Sequence, residues 1–217
     1  MNSITIILTG ATGMVGEGVL LECLQNENVA SVLMMNRRHF DLTHPKLKEL
    51  LVSDFMKLEQ YANDLKGYDA CFYCAGISSI GMKEDEYTRI TYDTTLHVAN
   101  VLLQHNPNMT FNFVSGASTD STEKGRMMWA RVKGKTENDL MKLSFKGVYN
   151  FRPGFMMPFK EQRNVKTFFK FFGFWFPHVF PKSTLTLEEV GRAMIHTSTK
   201  GTAKHVLEVK DIKHLAK

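Results

Sequence analysis

A doubly wound α/β fold on a mostly parallel sheet is what this sequence predicts, from three observations. Apolar, β-branched runs of strand length alternate six times with amphipathic helical stretches between residues 4 and 151. The runs are almost continuously apolar, as in strands covered on both faces. The first of them passes directly into a glycine-rich turn and then a helix. Right-handed connections between such units give the strand order 3-2-1-4-5-6, with room for a short seventh strand.

The first strand is Ile4–Leu8, followed by Gly10, Gly13 and Gly16 in Gly-x-x-Gly-x-x-Gly spacing and by a helix over Val15–Leu24. Strand, tight turn and helix aim free backbone N–H groups and the positive end of the helix dipole at a phosphate. Gly10 permits the turn, Gly13 lets a pyrophosphate approach the backbone, and Gly16 lets the helix lie close on the sheet. Thr12, Met14 and Val15 complete the phosphate-facing segment. A second strand, Ala30–Asn36, ends in Asn36-Arg37-Arg38, where the adenosine ribose of a dinucleotide is expected. An acidic residue there takes the 2′-hydroxyl of NAD, whereas arginines pair with the 2′-phosphate of NADP. No Asp or Glu stands at 35–38, so NADP is expected over NAD, the plain alternative being a solvated basic loop end.

His44–Leu51 shows helical spacing, and Leu50–Ser53 reads as a short third strand. Asp54, with Phe55 after it, suits the cap of a helix over Lys57–Leu65. The fourth strand, Tyr68–Cys74, closes at Ala75-Gly76, small residues that let backbone pass close to a ribose and pyrophosphate. A long helix spans Glu84–Gln104, with Tyr92, Asp93 and His97 assigned to packing and exposed faces. The fifth strand, Met109–Val114, runs into Ser115-Gly116-Ala117-Ser118-Thr119; a helix opens at Trp129 and reaches about Ser144; the sixth strand, Val148–Phe151, ends at Arg152-Pro153-Gly154. The remainder changes character. Phe168, Phe169, Phe171, Phe172, Phe174, Trp175 and Phe176 crowd together, with Lys166 and Lys170 among them. A lid or core segment is preferred for this stretch over a membrane-surface helix, because no clean polar face emerges. A helix over Leu187–Thr197, a strand over His205–Val209 and a basic tail complete the chain.

The 217 residues are read as one domain, a nucleotide-binding core over 1–154 and an aromatic-rich cap on the substrate side over 155–217. The formal charge of +5 is mild and spread along the chain, which argues against nucleic acid and suits a polyanionic cofactor. Cys23 falls on a helix, Cys71 and Cys74 on a strand; burial explains them better than zinc, and no metal is expected. No run of 18 or more apolar residues occurs, and the first apolar run reads as a strand rather than a signal peptide. A reducing, cytoplasmic setting is expected, with a homodimer left open.

The glycine turn, Val52-Ser-Asp-Phe-Met-Lys-Leu-Glu, Val132-Lys-Gly-Lys-Thr-Glu, Phe151-Arg-Pro-Gly and Val206-Leu-Glu-Val-Lys together resemble atypical short-chain dehydrogenases/reductases of the Tat-interacting-protein type. The similarity runs from Ser3 to about Leu215. It implies a Rossmann domain that binds NADPH, with some members acting as regulators rather than enzymes. It further implies that Asp54 meets the adenine amino group, that Pro153 and Gly154 flank the nicotinamide, and that a catalytic hydroxyl follows the fifth strand. Ser115 fits that hydroxyl best, with Ser118 as the alternative. The family's chemistry rests on Tyr-x-x-x-Lys, whose lysine lowers the tyrosine pKa and binds the nicotinamide ribose. Lys133 matches the lysine, but Trp129 stands at the tyrosine position, and an indole N–H is no proton acid near neutral pH. The resemblance therefore leaves two expectations: an oxidoreductase or epimerase-like enzyme acting on a small carbonyl or hydroxyl substrate, and a catalytically silent NADPH sensor.

Overall fold

Seven short runs of apolar, largely β-branched or aromatic residues form the central sheet of the computed structural model, which describes residues 3–159, 162–165 and 183–217. The strands are β1 (Ile4–Thr9), β2 (Val29–Asn36), β3 (Leu47–Leu51), β4 (Ala70–Tyr73), β5 (Thr110–Val114), β6 (Gly147–Arg152) and, numbered by its place in the chain, β9 (Val206–Glu208). Their order is β3-β2-β1-β4-β5-β6-β9 and every pairing is parallel. The predicted order holds, with the seventh strand in place. Successive side chains alternate between faces. Ile6 and Leu8 join one core with Val19, Leu20 and Cys23 of α1 (Met14–Gln25), while Ile7 joins a second with Val98 and Leu102. The first core also receives α5 (Leu187–Thr199) and α6 (Val209–Leu215); the second receives α3 (Thr94–His105) and Leu140 of α4 (Met128–Leu140).

Two glycines bring α1 and α5 together. A Cβ on Gly18 would stand 2.5 Å from the Leu187 side chain, and one on Gly191 would stand 2.7 Å from Cβ of Glu22. This contact closes one face of the sheet behind the nucleotide turn.

Several local expectations are corrected. The helical spacing over 44–51 gives no helix: Leu47–Leu51 is β3, in register with Val32–Asn36, two to three residues before the predicted strand. An edge strand has only one ladder to satisfy, and pairing with β2 outweighs a short helical pattern. After Asp54 the chain makes a 3-10 turn, Phe55–Tyr61, rather than a helix to Leu65, although Asp54 Oδ1 does cap it by accepting from Met56 N at 3.0 Å. The predicted helix over 84–104 is α2 (Glu84–Thr88) and α3 joined through a π turn, Arg89–Asp93. The basic tail is α6, opened by a reciprocal cap between Glu208 and Asp211. A separate parallel pair, β7 (Phe155–Met157) with β8 (Thr184–Thr186), has no counterpart in the sequence reading. The aromatic cluster Phe168–Phe176 lies outside the described residues.

Candidate functional site: a groove at the crossover of the sheet

The chain reverses its direction of winding between β1 and β4, where an open parallel sheet leaves a crevice beyond the strand ends. A groove of about 570 Å³ opens there. Gly10, Thr12, Gly13, Asn36, Arg37, Arg38, Asp54, Phe55, Ala75 and Gly76 all line it. The opposite wall, Ile77, Ile90, Thr91 and Thr94, is not legible in the sequence: Ile90 and Thr91 stand on the π turn and Thr94 opens α3 just after it, and such a turn leaves no mark in the residue pattern.

Close approach explains two of the glycines. Gly10 has φ +78°, and a Cβ there would lie 2.7 Å from the backbone of Cys74 and Ala75. The turn after β1 thus rests directly on the end of β4. A Cβ on Gly16 would lie 2.1 Å from the Gly10 carbonyl oxygen, so at this residue α1 lies tight against the turn that leaves β1. Gly13 is different: its Cβ would meet nothing nearer than the Gly10 oxygen at 3.4 Å, an ordinary contact. No side chain caps α1, which leaves the first-turn N–H groups of Met14, Val15 and Gly16 without an intrahelical acceptor.

Those donors, the Arg37 and Arg38 cations, and one buried acceptor fit a nicotinamide dinucleotide. The acceptor is Asn36 Oδ1, which has no hydrogen-bond partner although Asn36 is only 3% exposed. Tyr73 and Cys74 line the same groove, and burial pushes each of their pKa values up to about 12, so neither supplies an anion. The other two thiols, Cys23 and Cys71, are buried, free and raised likewise by desolvation.

Behind the groove, Glu17 of α1 holds a distant segment. Its buried carboxylate accepts from Arg163 N and Asn164 N, both at 2.7 Å, while Gln162 Nε2 donates to the Met14 carbonyl at 2.5 Å. Replacing Glu17 with alanine is expected to cost about 2–3 kcal/mol, since two charge-assisted hydrogen bonds go and two part-buried donors lose their acceptor. Urea denaturation measures this; a loss under about 1 kcal/mol would show the clasp to be incidental.

The expected catalytic group stands apart from the lining. Lys133 Nζ donates to the Ser115 carbonyl oxygen. Desolvation lowers its pKa from 10.5 to about 8, against an opposing pull from Glu137. The Ser115 hydroxyl is buried and turned inward, donating to Glu137 Oε1 at 2.5 Å and lying 3.0 Å from the Phe151 carbonyl oxygen. Ser118, the alternative, is exposed and held at φ +68°, a conformation that costs a side-chain-bearing residue about 1 kcal/mol or more. Trp129 lies one turn before Lys133, and its ring sits 4.0 Å from where a Gly116 Cβ would be. Pro153 accepts from Ala117 N at 2.8 Å, extending the β5–β6 ladder, and Gly154 packs against the Ser183 carbonyl.

Sequence reasoning also missed the polar core beneath this corner. Glu137, fully buried, takes Nε of Arg152 at 3.0 and 3.1 Å and the adjacent terminal nitrogen as well; Arg152 continues to Ser121 Oγ at 2.5 Å and to Glu208 Oε1 at 3.3 Å. The arginine of Arg-Pro-Gly therefore faces the interior.

The profile of the NAD dependent epimerase/dehydratase family matches residues 6–127. Protein HTATIP2 of Rattus norvegicus is 26% identical over 223 residues, covering 100% of this chain and 91% of its own length. The mitochondrial protein FMP52 of Debaryomyces hansenii is 23% identical, covering 97% of each. The crystal structure of the Bordetella bronchiseptica enzyme WbmF in complex with NAD+ superposes with a TM-score of 0.68 at 14% identity, over 99% of this chain and 77% of that one. These relatives bear out the resemblance to short-chain dehydrogenases of the HTATIP2 type.

Proposed function

The chain belongs to the NAD dependent epimerase/dehydratase family, and from that premise we propose that it binds NADP(H) in the groove and exchanges hydride with a small carbonyl or hydroxyl substrate. The observation that carries the cofactor preference is the pair Arg37 and Arg38, which line the groove where β2 ends and where no carboxylate lies between 35 and 38. Two guanidiniums suit a 2′-phosphate, and the uncapped start of α1 suits the pyrophosphate. In this reading Asp54 and Phe55 border the adenine, Asn36 the ribose, and Ala75, Gly76, Pro153 and Gly154 the nicotinamide half.

The chemistry the cofactor supplies when bound is hydride transfer. Lys133 has three donors and uses one on the Ser115 carbonyl, which leaves two for the nicotinamide ribose. With a pKa of about 8 the ammonium is protonated at neutral pH and able to replenish, through water, the proton a carbonyl needs on reduction. Neither Trp129 nor the inward-turned Ser115 hydroxyl takes that part. A cytoplasmic location belongs to the same proposal, on the strength of three free thiols; among the described residues no helix is long and apolar enough to cross a membrane.

A second reading, a catalytically silent NADPH sensor, is favoured by those same two side chains: Trp129 replaces the tyrosine, and Ser115 is committed to Glu137. Turnover of a panel of small aldehydes and ketones with NADPH, in the wild type and in Trp129→Tyr, separates the two. Consumption of NADPH by the wild type is the expected result. Turnover confined to Trp129→Tyr would contradict the enzyme reading and support the sensor.

A further inference from the structure

Asn36, His39 and Phe40 flank the two groove arginines on either side, and all three converge on one carboxylate. Glu49 stands in the middle of β3, paired in register with Met34 of β2. Its Oε1 accepts from Phe40 N at 2.9 Å and lies 3.4 Å from Asn36 Nδ2, while Oε2 is 2.5 Å from His39 Nδ1. Burial alone would raise the Glu49 pKa, but His39, the Phe40 N–H and Asn36 together hold it below the usual carboxylate value. The group is therefore an anion at neutral pH, and an ionised carboxylate accepts hydrogen bonds only.

That restriction decides which way the Asn36 amide faces. Its NH2 turns to Glu49, so its carbonyl oxygen turns away, and this oxygen is buried and has no partner, on a residue that lines the groove. The same carboxylate fixes the backbone immediately after Arg38. Arg37 and Arg38 are otherwise carried on an exposed turn that leaves β2 with no ladder of its own. An unpinned turn loses conformational freedom when its arginines engage a ligand, and that loss is subtracted from affinity.

We propose that Glu49 is a positioning residue for cofactor selection: it presents the Asn36 carbonyl oxygen to an adenosine ribose hydroxyl and preorders the Arg37–Arg38 turn for a 2′-phosphate. This rests on the NADP(H) reading above and extends it to a residue on the neighbouring strand that does not line the groove. The ribose contact serves NADH and NADPH alike, whereas the pinned turn serves NADPH alone. Loss of Glu49 is therefore read in the ratio of the two affinities, which a merely structural residue would leave unchanged.

The experiment is calorimetric titration of NADPH and NADH into folded wild type, Glu49→Ala, Glu49→Gln, His39→Ala and Arg37→Ala. Glu49→Ala is expected to lower the NADPH-over-NADH preference by about tenfold, with NADH affinity falling about threefold or less. Glu49→Gln keeps an acceptor for Phe40 N and should lie between it and wild type. His39→Ala removes only an exposed partner of the carboxylate and is expected to lower the ratio by about twofold to threefold, which keeps the test available if Glu49→Ala does not fold. A wild type with equal affinities would overturn the NADP(H) reading itself. A wild type that prefers NADPH, loses the preference in Arg37→Ala and keeps it in the folded Glu49 and His39 variants would overturn only the role of Glu49.

Discussion

Replacing Glu137 with alanine is expected to destabilise the protein by about 3–5 kcal/mol, the range for breaking a buried ion pair from one side. Arg152 cannot shed its charge, since the guanidinium stays protonated at any accessible pH. In the variant it would be left with Ser121 and the more exposed Glu208, the latter at 3.3 Å. The effect spreads because Glu137 also accepts from Ser115, and the Ser115 carbonyl holds Lys133. One carboxylate on α4 thus joins the ends of β5 and β6 to β9. For a chain of this length the loss corresponds to a fall in melting temperature of roughly 10 °C. Thermal unfolding followed by circular dichroism measures it, and a fall of less than about 3 °C would show that the network contributes little.

The nucleotide turn offers the second large effect, and its glycines separate folding from binding. In Gly16→Ala the new methyl would stand 2.1 Å from the Gly10 oxygen and 2.4 Å from its carbon, both backbone atoms, so the turn or the helix must shift. Stability should drop by about 1–3 kcal/mol, and NADPH binding should be lost with the turn geometry. Gly13→Ala meets only an ordinary contact at 3.4 Å within the protein, so its folding should be nearly unchanged. Its methyl does, however, occupy the wall of the groove that the pyrophosphate is expected to touch. The expected result is a melting temperature within about 2 °C of wild type and NADPH affinity at least about tenfold weaker. Titration and thermal melts on the two variants check this together. Wild-type affinity in Gly13→Ala would remove the glycine turn from the site.

What could be read from the sequence follows how local each cause is. The fold was legible because buried parallel strands are continuous apolar runs and the glycine turn is one short segment; Ile4 to Gly16 needs no distant residue to be interpreted. The place of Arg37 and Arg38 beside the groove was legible for the same reason, since it depends only on their standing at the end of a strand. β3 was misread because Leu47–Leu51 is a strand by virtue of its pairing with Val32–Asn36, a partner that helical spacing does not register. Ser115 stood where a catalytic hydroxyl was expected, yet its direction is set by Glu137, 22 residues later. The orientation of Asn36 depends likewise on Glu49, 13 residues away. The π turn Arg89–Asp93 brings Ile90 and Thr91 to the groove, with Thr94 directly after it, and no residue type announces it.

Whether the Arg37–Arg38 turn selects NADP(H) in this groove is decided by calorimetric titration of wild type and Arg37→Ala with NADPH and NADH at one fixed salt concentration. Wild type is expected to bind NADPH at least about tenfold more tightly than NADH, and Arg37→Ala to bind the two almost equally. Equal affinities in the wild type, or an unchanged preference in Arg37→Ala, would contradict that selection.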